Sequence, residues 1–309
     1  MNDISRFLKV NEKKIELLKI GNKDRTGKTI IILTGMGCSF YDWYDVAQIL
    51  GKSNKVILFH RPGLGLSEMS TVVRNTQAVV NELNDIILQL GLTEPVILVG
   101  HSYGGLCVQH FSKEYPEKVA GIVLVDSTSV DLEELDHLDL PILDEGETDV
   151  KWLEKCHSYS LMKVEELREV LNPSLTEKQK DFPFNIQQLI IEFHVNPSMY
   201  SAMYSEISNW KKDAAIIKGL GEFPEVPLFV IGRDKAYNIK LGKMDGLPEC
   251  ELQLLEKKWQ ELIMRQANLS KNGELIFAKK SGHSIHMDRP DLLIEAINKI
   301  IKLSSKVTL

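Results

Sequence analysis

Short apolar runs rich in β-branched residues alternate along this chain with segments whose apolar residues recur at helical spacing. Runs of this kind between turn residues are typical of buried strands, and those predicted here are 29–33, 56–59, 95–99, 119–125, 226–231 and 275–278. Helical spacing predicts helices within 79–90, 252–263 and 290–301. Because strands and helices alternate, the pattern predicts an α/β fold with a mostly parallel sheet and helices on both faces.

Two parts of the chain depart from this alternation. Apolar residues at 7–10 and 15–20 flank a polar turn, which predicts a hairpin. Between residues 130 and 222 the buried-strand pattern stops, an acidic stretch is followed by mixed helical patterns, and a helix is expected to start at Pro197. We therefore divide the chain into a core of residues 1–129 and 223–309 and a helical insertion of residues 130–222.

The sequence Gly-His-Ser-Tyr-Gly-Gly occupies residues 100–105, between a predicted buried strand and a helical pattern. Strand, G-x-S-x-G and helix in this order form the context of a nucleophile elbow, a sharp turn that exposes a serine. Gly100 and Gly104 leave the room that the strained backbone of such a serine needs. A helix that begins behind the serine also aims N–H groups at a developing negative charge. Ser102 is therefore the candidate nucleophile.

Four further motifs lie before and after the elbow in a recognisable order: Thr-Gly-Met-Gly at 34–37, His-Arg-Pro-Gly-Leu-Gly-Leu-Ser at 60–67, Gly-Arg-Asp at 232–234 and Gly-His at 282–283. Together with the elbow, they make the chain resemble the α/β-hydrolase superfamily over nearly its whole length. The resemblance implies an α/β-hydrolase fold with an inserted helical cap, which corresponds to residues 130–222.

A serine hydroxyl needs a base to take its proton and a third group to orient that base. In the superfamily the order along the chain is serine, acid, histidine. The resemblance implies Ser102, Asp234 and His283, each just past a predicted strand. Asp126, after the preceding strand, is a rival acid, but Gly-x-Asp after the penultimate strand is the family's usual form. His286 competes with His283, which alone follows glycine in the Gly-His motif. A serine nucleophile points away from the dehalogenases and epoxide hydrolases of this fold, which use aspartate.

The resemblance also implies an oxyanion hole and a supporting loop. Its donors would be the backbone N–H groups of Met36 and Tyr103. Thr34 stands where the family usually has histidine, a change that leaves a backbone donor intact. The loop that contains His60 and Arg61 is structural in most members, so neither residue is assigned a catalytic role.

The insertion holds several residues that could line a substrate pocket or form the cap's own core. These residues are Phe193, Met199, Tyr200, Met203 and Tyr204. Substrate specificity would depend on them and on loops that the sequence does not place.

Composition narrows the classes of function. The 309 residues are 43% hydrophobic and 26% charged, with a net charge of −6, which argues against nucleic acid or an anionic membrane surface as the partner. No stretch approaches the ~20 apolar residues that span a bilayer. The four cysteines are scattered without zinc-binding spacing, which predicts reduced thiols in a cytoplasmic protein. We expect no metal and no cofactor, and the oligomeric state stays open.

These observations favour a serine hydrolase that cleaves a small-molecule carboxylic ester through an acyl-enzyme on Ser102. An aminopeptidase of the proline iminopeptidase type is an alternative, because it also carries a cap. Thioesterase, lactonase, C–C hydrolase and perhydrolase activities use the same kind of triad. A non-catalytic small-molecule-binding module is the alternative from another class. Receptors of this fold usually lack a triad residue, whereas this chain has candidates for all three.

Overall fold

A computed structural model describes residues 6–21 and 27–305. Its strands are β1 Arg6–Val10, β2 Lys13–Ile20, β3 Thr29–Leu33, β4 Lys55–Phe59, β5 Val96–His101, β6 Val119–Val125, β7 Leu228–Arg233 and β8 Gly273–Ala278. Its helices are α1 Tyr44–Leu50, α2 Thr76–Gln89, α3 Tyr103–Glu114, α4 Asp144–Glu147, α5 Asp149–Ser160, α6 Val164–Leu171, α7 Phe184–His194, α8 Pro197–Gly219, α9 Lys235–Met244, α10 Glu249–Ala267, α11 Ile285–Asp288 and α12 Pro290–Ser304.

The chain forms two compact units. The first consists of Met1–Gly27, Met36–Leu92 and Asp149–Trp210. The second consists of Lys28–Gly35, Thr93–Thr148 and Lys211–Leu309. The division into residues 1–129, 130–222 and 223–309 stays a prediction.

The second unit contains a parallel sheet in the order β3-β5-β6-β7-β8. Its central register aligns Val99 with Val123 and Val123 with Phe229. The β-branched and leucine side chains of β5 and β6 are almost fully buried, as expected for strands covered on both faces. Because the five strands are parallel, their carboxyl ends lie at one edge, where ligands and catalytic groups gather in sheets of this type. This part of the predicted architecture is confirmed.

In the first unit, β1 pairs antiparallel with β2, and β2 pairs antiparallel with β4. The predicted N-terminal hairpin is therefore confirmed. Helix α2 begins behind Asn75, whose side chain accepts a hydrogen bond from the backbone N–H of Ala78. Apolar residues of α2, including Val79 and Leu83, are buried.

The stretch between β6 and β7 consists of helices and connecting loops, and its described residues contain no strand. Its acidic beginning is paired with cations of the second unit: Asp131 with Lys218, and Glu134 with Lys258 and Arg265. The first acids of the run are thus paired with basic side chains. Over the described ranges 6–21 and 27–305, no helix is both long and apolar enough to cross a bilayer.

Candidate active site

Ser102 lies at a sharp turn between β5 and α3. Its backbone has φ 52° and ψ −125°, a conformation that residues other than glycine rarely adopt. A Cβ on Gly100 would lie 2.6 Å from Gly105 Cα, and one on Gly104 would lie 2.3 Å from the Leu33 carbonyl oxygen. Both glycines are therefore required by close approach. The strained backbone of Ser102 and the close contacts at the two glycines are the features that the G-x-S-x-G motif predicts.

The elbow is bonded to the end of β6. The Ser102 N–H donates to the Val125 carbonyl at 3.2 Å, and the Thr128 N–H donates to the Ser102 carbonyl at 3.1 Å. A Cβ on Gly105 would lie 2.1 Å from Ser127 Oγ, so the elbow and the segment after β6 are in direct contact. These contacts place Asp126, the residue between Val125 and Ser127, beside the elbow.

The histidine of the predicted site is bonded to an aspartate, but not to the expected one. His283 Nδ1 donates to Asp126 Oδ2 at 2.6 Å. Asp126 is fully buried, whereas 39% of the His283 side chain is exposed. The structure therefore brings together His283 and the rival acid Asp126.

Asp234, the favoured acid, is engaged elsewhere. Its Oδ1 caps α9 by accepting from the backbone N–H groups of Ala236 and Tyr237, at 3.0 and 3.2 Å. Its Oδ2 accepts from the backbone N–H of Lys280 at 2.9 Å. The expectation that Asp234 orients His283 is thus corrected, because α9 begins directly after Asp234 and its first turn takes the carboxylate as an N-cap.

Asp126 stays ionised because donors surround it. Oδ1 accepts from the Arg233 backbone N–H at 3.1 Å and from Trp259 Nε1 at 2.9 Å, and Arg233 Nη1 lies 3.4 Å from Oδ2. Burial raises the pKa of Asp126, but the Arg233 charge and the hydrogen bonds from His283 and Trp259 outweigh it and lower the pKa to about 2. Asp126 therefore faces His283 as an anion at neutral pH.

The loop that carries His283 is held at several points. His101 donates its Nε2–H to the His283 carbonyl at 3.0 Å, and the two rings lie 4.7 Å apart. Burial lowers the pKa of His101 to about 3, so this imidazole is neutral. The Gly282 N–H donates to Asp288 Oδ2 at 2.8 Å. His286 is buried, with its ring 4.9 Å from that of His101.

Two atoms of this site remain available for chemistry. Within residues 6–21 and 27–305, no hydrogen bond reaches His283 Nε2 or Ser102 Oγ. A half-exposed imidazole with a carboxylate on Nδ1 can take a proton at Nε2 and return it. No group of three or more His, Cys, Asp or Glu side chains in the same described residues is arranged to bind a metal ion.

Comparisons with known proteins identify the fold. Residues 28–154 match a family model described as the alpha/beta hydrolase fold. A thermophilic esterase from Thermogutta terrifontis superposes with a TM-score of 0.64 at 17% identity, covering 97% of this chain and 98% of that chain. The chain has the α/β-hydrolase fold.

Two curated relatives align with most of this chain. A protein of Gibberella zeae named as an AB hydrolase superfamily protein is 24% identical over 298 residues, which cover 88% of this chain and 86% of the relative. The 2-hydroxy-6-oxo-6-phenylhexa-2,4-dienoate hydrolase of Comamonas testosteroni is 26% identical over 246 residues, covering 75% and 80%. The first relative is named for the AB hydrolase superfamily, and the second is named for the substrate that it hydrolyses.

The other residues of the predicted site are the oxyanion-hole candidates Tyr103 and Met36 and the possible lining residues of the insertion. Tyr103 is the first residue of α3 in the second unit. Met36 lies in the first unit and packs against an apolar cluster. That cluster consists of Leu64, Cys156, Leu167, Phe193, Met199, Tyr200, Ala202, Met203 and Ile207. Four of the five possible lining residues are therefore packed in a core, while Tyr204 is 41% exposed.

Sequence reasoning missed three residues around the acid: Arg233, Glu256 and Trp259. Arg233 bonds both Asp126 and Glu256, and Trp259 bonds Asp126. A charged residue at the end of β7, beside a strand that ends in aspartate, was the available signal. The position of α10 over these strand ends could not be read from the sequence.

Proposed function

We propose that this chain is a serine hydrolase that cleaves small-molecule carboxylic esters through an acyl-enzyme on Ser102. The observation that carries the proposal is the 2.6 Å hydrogen bond from His283 Nδ1 to buried Asp126, beside a serine held at φ 52°. In this proposal Asp126 replaces Asp234 as the acid of the triad. The similarity of residues 28–154 to the alpha/beta hydrolase family model, and of the fold to the Thermogutta terrifontis esterase, supports a hydrolase.

The proposed reaction proceeds in two halves. Ser102 Oγ attacks the ester carbonyl carbon while His283 Nε2 takes the hydroxyl proton. The tetrahedral intermediate collapses as the alcohol leaves with that proton, and the acyl group stays on Ser102. Water then repeats the sequence: His283 takes its proton, and the carboxylic acid leaves as Ser102 regains its hydrogen. Asp126 orients the imidazole and stabilises its charged form in both halves.

The oxyanion would be held by backbone donors. Tyr103 begins α3 directly after the nucleophile, where a helix N-terminus favours negative charge. The resemblance adds the backbone N–H of Met36 as the second donor.

The test is covalent labelling combined with kinetics. A fluorophosphonate probe should label the wild-type protein and not Ser102→Ala, and kcat on a short-chain ester should fall by roughly 10⁴ or more. Ser112→Ala is the matched control, because Ser112 is a buried serine of α3, the helix that begins directly after Ser102. Labelling of Ser102→Ala at another serine, or no labelling of the wild type, would refute the proposal.

A second candidate is favoured by the Comamonas relative, which is a hydrolase of a 2-hydroxy-6-oxo-dienoate. The substrate in that name has a ketone and no ester or amide bond, so hydrolysis must break a carbon–carbon bond beside the ketone, and the same three residues can serve that reaction. A panel of esters and vinylogous diketones distinguishes the two. Turnover of the diketones with little ester cleavage would favour the second candidate.

A further inference from the structure

Asp126 is enclosed by a group of side chains that the proposed mechanism does not yet use. These are Arg233 at the end of β7 and Glu256 and Trp259 of α10, here called the acid support. Glu256 and Asp126 are buried, and only 13% of the Arg233 side chain is exposed. Buried charges need partners, so the number and sign of the charges in this group matter.

Arg233 lies between two carboxylates. Its Nη2 donates to Glu256 Oε1 at 2.5 Å and its Nε donates to Glu256 Oε2 at 3.1 Å, while Nη1 lies 3.4 Å from Asp126 Oδ2. The guanidinium thus forms a bidentate pair with Glu256 and a longer contact with Asp126. As a result Asp126 Oδ2 keeps its short hydrogen bond for His283.

Counting charges explains why a second carboxylate is present. Asp126 and Arg233 alone would sum to zero, and a neutral pair attracts an imidazolium weakly. Glu256 brings the sum to −1, and an imidazolium at His283 then brings it to zero. The titratable groups that face Asp126 are Arg233 and His283, with Glu256 behind Arg233, while neutral His101 packs against His283 from β5. Burial raises the pKa of Glu256, and the Arg233 charge and hydrogen bonds oppose that shift.

Trp259 connects the members of the group. Its indole N–H donates to Asp126 Oδ1 at 2.9 Å, and the Arg233 guanidinium lies 4.3 Å from its ring centre. Its ring also meets the His283 ring edge-on at 6.0 Å and 83°. One side chain therefore fixes the direction of the carboxylate and restricts the ring that it orients.

We propose that Arg233, Glu256 and Trp259 are positioning residues that aim Asp126 at His283 and set the net charge of the site to −1, which favours the imidazolium of the catalytic cycle. This inference rests on the proposed function. It assigns α10, which lies between the Asp234 loop and β8, the task of supporting an acid placed after β6.

The experiment measures the pH midpoint of the acid limb of kcat/KM on a short-chain ester. Glu256→Gln removes one negative charge and should move the limb to lower pH, whereas Arg233→Met removes the positive charge and should move it to higher pH. Each shift should be roughly half a unit to one unit. The double variant Arg233→Met/Glu256→Leu restores the sum of −1 and should return the midpoint close to that of the wild type.

Trp259→Phe keeps an aromatic ring at this position and removes the indole N–H together with part of the ring volume. We expect kcat to fall about 10- to 100-fold, the scale of one hydrogen bond to a charged acceptor, with little change in the midpoint. Arg265→Met is the control, because Arg265 is an exposed arginine of the same helix paired with Glu134. Arg265→Met should change kcat by no more than about twofold and should leave the pH midpoint of the acid limb unchanged.

A second readout separates this inference from the proposed function. The titration of the His283 ring, followed by NMR in ¹⁵N-histidine-labelled protein and assigned with His283→Gln, gives the midpoint without any substrate. Opposite shifts for Glu256→Gln and Arg233→Met support the inference even if no ester is turned over. Shifts in the same direction, no shift in the folded variants, or a double variant that fails to return would overturn it. Glu256→Gln and Trp259→Phe are the milder changes if Arg233→Met does not fold.

Discussion

Each of the two compact units contains a histidine whose Nδ1 is bonded to a buried carboxylate. In the first unit His60 Nδ1 lies 2.7 Å from Glu16 Oε2, and in the second His283 Nδ1 lies 2.6 Å from Asp126 Oδ2. The difference is at the other ring nitrogen. His60 Nε2 accepts the backbone N–H of Phe40 at 3.0 Å, and its side chain is completely buried. Only His283 presents Nε2 for proton transfer.

The carboxylates differ in the same sense. Glu16 also accepts from the Tyr41 hydroxyl and the Leu66 N–H, both at 2.9 Å, so it ties a loop to β2. Burial lowers the pKa of His60, which keeps the ring neutral. A Cβ on Gly65 would lie 2.1 Å from His60 Nδ1, which explains that glycine of the 60–67 motif. A histidine–carboxylate bond is thus no sign of catalysis by itself, and the accessible second nitrogen is what distinguishes the two pairs.

The largest expected effect comes from substituting the carboxylate of each pair. Asp126→Asn should lower kcat on a good ester substrate by about 10³- to 10⁴-fold, because it leaves His283 in the wrong tautomer without a counter-charge. Glu16→Gln should change kcat only a few-fold while lowering the free energy of unfolding, since it breaks a buried pair. Steady-state kinetics and denaturant unfolding of both variants provide the measurement. Equal losses of activity in the two variants would show that the first pair also serves catalysis.

A smaller effect concerns the pH dependence of the free energy of unfolding. The pKa of Asp126 is about 2 in the folded protein against an ordinary value of 3.8. A lowered carboxyl pKa stabilises the fold above the unfolded value, so this contribution is complete above about pH 4 and is lost as the pH falls towards 2. Its size is about 2 kcal/mol. Urea unfolding of wild type and Asp126→Asn between pH 5 and pH 2 should show the wild type losing that much more stability. Parallel pH profiles would contradict the assigned pKa.

Much of this arrangement could be predicted from the sequence, and the acid shows where such prediction failed. The G-x-S-x-G context and the Gly-His motif predict Ser102 and His283 as candidates, because both motifs depend on local backbone geometry. Asp126 and Asp234 both follow strands of one parallel sheet, so strand order alone could not tell which carboxylate faces His283. The deciding features are the turn at Asp126, with φ 39°, and the start of α9 directly after Asp234. The second feature had a sequence signal, since aspartate before a helical segment is a preferred N-cap.

The smallest expected effect concerns that displaced acid. Asp234→Ala removes the cap of α9 and the acceptor for the Lys280 N–H, which helps to hold the loop before His283. We expect a loss of about 1 kcal/mol in the free energy of unfolding. Asn75→Ala is the matched control, because it removes the cap of α2 in the first unit and should cost about the same. Asn75→Ala should leave kcat/KM unchanged, whereas Asp234→Ala should lower it by less than about tenfold, because the Gly282 and His283 backbone keeps its bonds to Asp288 and His101. The difference between the two variants isolates what the Lys280 contact adds to the placement of His283. A loss of about 10³-fold in Asp234→Ala, with a mild effect of Asp126→Asn, would instead return the role of the acid to Asp234.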